Sequence, residues 1–222
     1  MKKFFRENGL SIFLLGLFFS TFLLGQTLTG FHEYNSDRRD HGKLELSLPS
    51  YLSSSHFLEA TMENWESEFL QMGLYVILTT FLFQKGSAES KKLDEPEAVD
   101  RDPRLSRHRK DVPWPVRKGG WILKVYEKSL SLALLLLFFF AFTLHAVAGA
   151  RLYSEDRLNH GQEPVSTWQY LWSARFWFES FQNWQSEFLA IGAIVLLTIH
   201  LRQRGSAQSK PVDSPHSQTG GE

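Results

Sequence analysis

The feature that most constrains this chain is its division into long apolar runs separated by strongly polar segments. Ser129–Ala150 (SLSLALLLLFFFAFTLHAVAGA) contains no Lys, Arg, Asp or Glu, and Leu10–Gly25 (LSIFLLGLFFSTFLLG) continues uncharged to Thr29. At about 1.5 Å per residue, a helix of about 20 residues crosses a hydrocarbon core of about 30 Å. Phe69–Phe83 and Phe188–Leu201 are shorter. They rise only about 22 Å, so a spanning helix there must borrow flanking residues. Lys85, or Arg202 and Arg204, can reach the headgroups at one end. At the other end the borrowed residues are Asn64, Trp65, Ser67 and Glu68, or Asn183, Trp184, Ser186 and Glu187. A cleavable signal peptide starting at Lys2, Lys3 and Arg6 is the competing reading of the first run. No small-x-small site follows that run, so it is read as a retained helix. The expected fold class is therefore all-α: an integral membrane protein with four transmembrane helices.

Averages hide this pattern, because the 24 basic and 24 acidic side chains of the 222 residues cancel. Four spans place the N-terminus, the segment 84–128 and the C-terminus on one side, with 18 Lys/Arg against 11 Asp/Glu. The segments 30–68 and 151–187 on the other side hold 6 Lys/Arg and 13 Asp/Glu. Lys/Arg excess sets orientation, so both termini are expected in the cytoplasm. All seven tryptophans (Trp65, Trp114, Trp121, Trp168, Trp172, Trp177, Trp184) lie outside the apolar cores, where interfacial belts form. The lack of cysteine excludes disulfides, thiolate metal sites and cysteine catalysis. The balanced charge points to no nucleic-acid partner. The partners expected are the lipid bilayer and a second copy of the chain.

The two halves repeat at an offset of 119 residues: 28 of 62 positions between Gly30 and Lys91 match Gly149–Lys210 without a gap. The block Asn64-Trp65-x-Ser67-Glu68-Phe69-Leu70-x-x-Gly73 recurs as Asn183-Trp184-x-Ser186-Glu187-Phe188-Leu189-x-x-Gly192. Tyr34-x-x-Asp37-Arg38-x-x-His41-Gly42 recurs as Tyr153-x-x-Asp156-Arg157-x-x-His160-Gly161, and Gly86-Ser87-Ala88-x-Ser90-Lys91 as Gly205-Ser206-Ala207-x-Ser209-Lys210. Each unit crosses twice, so two parallel two-helix repeats about an axis along the membrane normal are expected. The boundaries read as 1–91 for the first repeat, 92–120 for a charged linker, 121–204 for the second repeat and 205–222 for a tail. The charged, proline-containing linker has few aliphatic residues to bury, and it and the similar tail are expected to be disordered. Ser54-Ser55 and Ser173 are expected to cap helices that run into the second and fourth spans.

Glu68 and Glu187 are the sharpest candidates for chemistry, because an ionisable group near membrane depth is costly. Asn64 and Asn183 lie one turn earlier and could donate to them, with Trp65 and Trp184 alongside. Two close carboxylates would suit a proton or a hard cation. The plain alternative is that each caps its helix start or pairs with Arg38 or Arg157. The second constellation is a loop motif of Asp37, Arg38 and His41 with Asp156, Arg157 and His160. Histidine with carboxylates can bind zinc or shuttle protons, yet the spacing is a weak metal signal and His-Gly also makes a turn. His145 in the third run is read as a helix–helix hydrogen-bonding residue. No hydrolase elbow, phosphate loop, dinucleotide fingerprint or HExxH motif is present, so neither an enzyme nor a cofactor is expected.

On the paired NWxSEFLxxG blocks, the Gly-Ser-Ala-x-Ser-Lys signatures, RENGLS at Arg6–Ser11, PWPVRKGG at Pro113–Gly120, SLSLALLLLF at Ser129–Phe138 and FESFQNWQSEFLA at Phe178–Ala190, the chain resembles a family of bacterial membrane proteins known only as a domain of unknown function. The resemblance covers nearly the whole chain. It implies a bacterial cell-membrane location and brings no activity, substrate or active site. Two functions follow as expectations. One is a non-enzymatic structural or interaction protein. The other is a small transporter or proton- or ion-handling protein using Glu68 and Glu187.

Overall fold

A computed structural model describes residues 2–220, and among them the chain is all-α, with no strand. Helix α1 (Lys2–Ser20) passes through a π-helical stretch (Thr21–Thr27) into α2 (Leu28–Asp40) without a break. Hydroxyls explain the loosened stretch. Ser20 Oγ donates to the Gly16 carbonyl at 2.8 Å, and Thr21 Oγ1 and Thr29 Oγ1 donate to those of Leu17 and Gly25. Such back-bonding competes with the main-chain ladder and opens it locally. Thr27 is buried within the stretch.

The segment after Thr29, expected as a loop, continues as helix for eleven residues to Asp40. It contains no proline, and Arg38 and Arg39 in its last turn favour the negative end of the helix dipole. Helix α3 (Leu48–Leu52) has Pro49 in its first turn, a position that needs no amide hydrogen. Helix α4 (Ser55–Leu78) starts where expected, with the Phe57 amide donating to Ser54 Oγ at 3.2 Å. It stops five residues short of the expected Phe83. Thr79 and Thr80 side chains bond back to the carbonyls of Tyr75, Val76 and Ile77 and take up the terminal acceptors.

Two 3₁₀ turns follow, Ala98–Asp100 and Pro103–Ser106, and then two short helices, α5 (Trp114–Lys118) and α6 (Gly120–Tyr126), divided by Gly119 at φ 69°. Helix α7 (Ser129–Asn159) carries the longest apolar run nine residues beyond Ala150. Helix α8 (Thr167–Leu171) begins with a capping box between Ser166 and Gln169. Helix α9 (Ala174–His200) has the expected serine cap, the Phe176 amide donating to Ser173 Oγ at 3.2 Å.

Among the described residues, two helices are long and apolar enough to cross a membrane: the continuous Lys3–Asp40 helix and Ser129–Asn159. The first buries none of its apolar window, and Leu10 and Phe13 are 75% and 69% exposed. A side chain such as leucine gains about 1.5–3 kcal/mol on leaving water, so such a surface demands an apolar environment.

The chain divides into two compact units that cut across the sequence repeat. Unit 1 combines the chain up to Met62 with Thr143–Phe176. Its core is Tyr34, Tyr51, Tyr170 and Phe176 with Ala146, Ala148 and Ala150, all buried. Unit 2 combines Glu63–Phe142 with the chain from Trp177 onward. It buries Leu70, Val116, Leu123, Phe138 and Ala141.

In unit 1, Gly149 admits Tyr170 to its surface: a Cβ there would lie 2.5 Å from Oη and 2.6 Å from a ring carbon. Gly30 and Tyr51, 119 residues earlier, meet in the same way. Because Tyr170 is buried and its ring itself is in the way, Gly149→Ala is expected to cost about 1–3 kcal/mol. Detergent-resistant unfolding of the purified protein measures this, and an unchanged midpoint would refute the close-packing account.

Candidate functional site

In unit 1 the twin Tyr-x-x-Asp-Arg-x-x-His-Gly motifs do not lie on loops. Each forms the last turns of a helix, α2 or α7, and its C-cap. Gly42 and Gly161 take φ of 66° and 70°, which glycine adopts without Cβ strain. The Lys43 and Gln162 amides reach back to the carbonyls of Arg38 and Arg157 at 2.8 and 2.9 Å. Those of Gly42 and Gly161 reach Arg39 and Leu158 at 2.9 and 3.0 Å. This is a Schellman cap, built twice.

The motif side chains hold the returning strand of chain. Arg38 Nε donates to the Leu44 carbonyl at 2.7 Å, and Arg157 Nε to that of Glu163 at 2.6 Å. His41 and His160 Nδ1 donate to the carbonyls of Asp37 and Asp156 at 2.9 and 2.8 Å. Their carboxylates stand 3.4 and 3.6 Å from the same nitrogens, on exposed surface. The structure thus brings His41 to Asp37 and His160 to Asp156, each on its own turn.

Beside these turns unit 1 forms an open polar cavity of about 190 Å³ lined by Glu33, Tyr34, Asp37, His56, Glu155 and Arg175 among others. Tyr34 Oη donates to Glu155 at 3.3 Å and stacks on the His56 ring at 4.5 Å between centroids. His56 Nε2 lies 3.5 Å from Glu33, and its Nδ1 lies 3.4 Å from Tyr51 Oη. Burial pushes the Tyr51 hydroxyl up to about 12, helped by the Glu33 charge and by Tyr34. Burial also lowers the His56 pKa, opposed by Glu33 and Asp37. His56 escaped the sequence reading because it lies outside the repeated motif; position 175 at the repeat offset is arginine.

In unit 2 the Asn-Trp-x-Ser-Glu blocks face one another unequally. Asn64 and Glu68 are exposed, and Trp65 is half-buried against the Phe69 ring. Glu187 is half-buried, its carbonyl accepts from Gln71 Nε2 at 2.7 Å, and it interacts electrostatically with Glu68. The expected asparagine-to-glutamate bond is replaced in the second block. Asn183 donates to Glu63 at 2.5 Å and to the Glu179 carbonyl at 3.2 Å.

Trp184 and Ser180 both converge on Glu66, a residue the sequence reading passed over. Ser180 Oγ donates to Glu66 Oε1 at 2.8 Å and Trp184 Nε1 at 3.3 Å, and Glu66 is fully buried. A sequence signal for it exists. Met62 and Leu70, four residues to either side, are both buried and share its helix face. Glu68, two residues on, turns away from that face.

The helix ends of unit 2 carry the Gly-Ser-Ala-x-Ser-Lys turns. Gly86 and Gly205 have φ of 86° and 85°. The Gln84 and Gln203 amides donate to Ser90 and Ser209 Oγ, each at 2.9 Å. The two lysines then part ways. Lys91 Nζ pairs with Asp100 at 2.6 Å. Lys210 is 1% exposed, and its ammonium donates to the carbonyls of Gly86, Pro215, His216 and Gln218. The Gly220 amide donates to the Ser87 carbonyl, and the Gly86 amide to Thr219 Oγ1, both at 2.9 Å.

These features define, among the described residues, an all-α protein with two helices of membrane-crossing length and composition. The chain belongs to the family described as Domain of unknown function (DUF6766), which it matches over residues 1–221. No curated protein and no solved structure matches it.

Proposed function

We propose that this chain is a four-span integral protein of the bacterial cell membrane, non-enzymatic and structural or interaction-forming, with both termini cytoplasmic. It comprises two parallel two-helix repeats, 1–91 and 121–204, joined by the charged segment 92–120 and followed by 205–222. The observation that carries the role is where the twin motifs spend their polar groups. Arg38, His41, Arg157 and His160 bond to backbone carbonyls of their own turns, and Asn183 and Trp184 bond to carboxylates of α4.

The parallel arrangement is supported by spacing within unit 2. Bonds from α4 to α9 join residues 114, 116, 118 and 120 positions apart, bracketing the repeat offset of 119. Elements related by a two-fold axis along their length meet their own counterparts in this way. The exposed apolar surface of α1 supports the bilayer as partner.

Topology is directly testable in a chain without native cysteine. Leu44 and Leu105 are 87% and 80% exposed, so cysteines placed there do not disturb a core. In intact cells an impermeant maleimide is expected to label Leu44→Cys, and Leu105→Cys only after permeabilisation. The opposite pattern would invert the orientation, and labelling of both would remove the membrane.

The electrostatic coupling of Glu68 with Glu187 favours a second reading, proton or ion handling. Replacing both with Gln in proteoliposomes separates the readings. Loss of a pH-gradient-driven ion flux in a folded variant supports transport, and absence of any flux in the parent protein excludes it.

A further inference from the structure

The twin motifs of unit 1 agree in their clamps but differ in the side chain that packs on their tyrosines. Position 56 is histidine, whereas position 175, at the repeat offset of 119, is arginine. The Arg175 guanidinium carbon lies 4.8 Å from the centroid of the Tyr153 ring, and its Nη1 lies 3.8 Å from Asp156. His56 occupies the matching place on Tyr34, the counterpart of Tyr153, with the rings stacked at 4.5 Å and 19°. Each tyrosine also carries one arginine, Arg38 at 5.8 Å from the Tyr34 centroid and Arg157 at 5.7 Å from that of Tyr153, so it is the second place that holds a permanent cation on Tyr153 and a titratable ring on Tyr34.

We propose that His56 is a proton-binding site, and that protonation converts its neutral stack on Tyr34 into the cation-over-tyrosine arrangement that Arg175 holds permanently on Tyr153.

The surroundings supply both the counter-charge and a lever. From α2, the Glu33 carboxylate lies 3.5 Å from Nε2, and Asp37 acts on the ring's charge from further away. Across the cavity stand the cations Arg38, Lys43 and Arg175 and the carboxylates Glu155 and Asp156, with the His41 ring beside them. The His56 side chain is 24% exposed, so protons reach it from the cavity. From α3, Tyr51 Oη stands 3.4 Å from Nδ1.

A neutral imidazole can accept the tyrosine hydrogen at Nδ1, whereas an imidazolium donates from both nitrogens. Protonation of His56 reverses this bond: Nδ1–H donates to Tyr51 Oη, and the tyrosine hydrogen, which stays in place well past neutrality, loses its acceptor. Tyr51 is 2% exposed and seated against Gly30, so the cost of that lost bond falls between α3 and the first helix.

The sign of the pH dependence follows from burial. Burial outweighs Glu33 and Asp37, so the folded protein holds this proton more weakly than the unfolded chain does. The stabilisation from the neutral stack is full above the ordinary histidine value of about 6.5 and fades as pH falls below it.

The experiment compares amide exchange of residues 48–57 at pH 7.5 and pH 5.0 in the full chain in detergent, corrected for intrinsic rates. The parent protein is expected to show a several-fold acid-induced rise that His56→Gln abolishes, and His56→Arg is expected to show no pH response. An equal rise in His56→Gln, or no rise in the parent, overturns the proposal. Should the variants fail to fold, exchange of the histidine ring C2 hydrogen in the parent gives the titration of His56 directly. A midpoint at or above the ordinary value then overturns it.

Discussion

Glu66→Ala is expected to destabilise the protein by about 3–5 kcal/mol, whereas Glu66→Gln is expected to cost about 1 kcal/mol or less. The difference follows from what surrounds the side chain. Glu66 is fully buried, and Ser180 Oγ and Trp184 Nε1 both donate to its Oε1. Alanine removes the acceptor and leaves one buried and one half-buried donor without it, at about 1–3 kcal/mol for the buried one, with a cavity besides. Glutamine keeps an oxygen at the same reach. Denaturation in mixed micelles, followed by tryptophan emission, reports both changes because Trp184 is itself a donor. Equal losses in the two variants would show that the carboxylate does more than accept these two bonds.

Glu66 also shows what the sequence could and could not convey. The apolar runs fall mainly in α1, α4, α7 and α9, and the serines at 54 and 173 mark the starts of α4 and α9, whereas the short helices α3, α5, α6 and α8 carry no such signal. Where those helices end was less legible. Leu78 is followed by two threonines whose hydroxyls compete for the last carbonyls, and no hydropathy pattern registers that competition. The repeat drew attention to positions identical in both halves, and many of those residues make turns and caps, which duplicate faithfully. The positions with distinctive chemistry are those where the halves differ. Glu66 corresponds to Gln185, and His56 to Arg175. The polarity of the Tyr-x-x-Asp-Arg-x-x-His-Gly motif suggests a loop. The motif is helical because nothing in it breaks a helix before Gly42 or Gly161.

The same divergence governs the second large effect, at the lysines that close the Gly-Ser-Ala-x-Ser-Lys turns. Lys210→Met is expected to release residues 211–220, raising amide exchange at Gly86 and Gly220 by about 100-fold, or about 3 kcal/mol of local opening. Methionine matches the length of the aliphatic stem but cannot donate, so the carbonyls of Gly86, Pro215, His216 and Gln218 lose a shared donor at a site only 1% exposed. Leaving several buried acceptors unmet is costly, and the chain relieves that cost by opening the tail to water. The loss is therefore local: global unfolding is expected to move little while exchange and proteolysis of the tail rise steeply. Lys91→Met provides the contrast. Its partner Asp100 is 39% exposed, so solvent screens the pair and exchange of the linker is expected to change little. One motif residue at two positions thus has two expected effects, set by how many acceptors surround the ammonium and how dry they are. A tail that stays protected in Lys210→Met would show that the bonds from Thr219 and Gly220 to the Gly86–Ser87 turn hold it without the lysine.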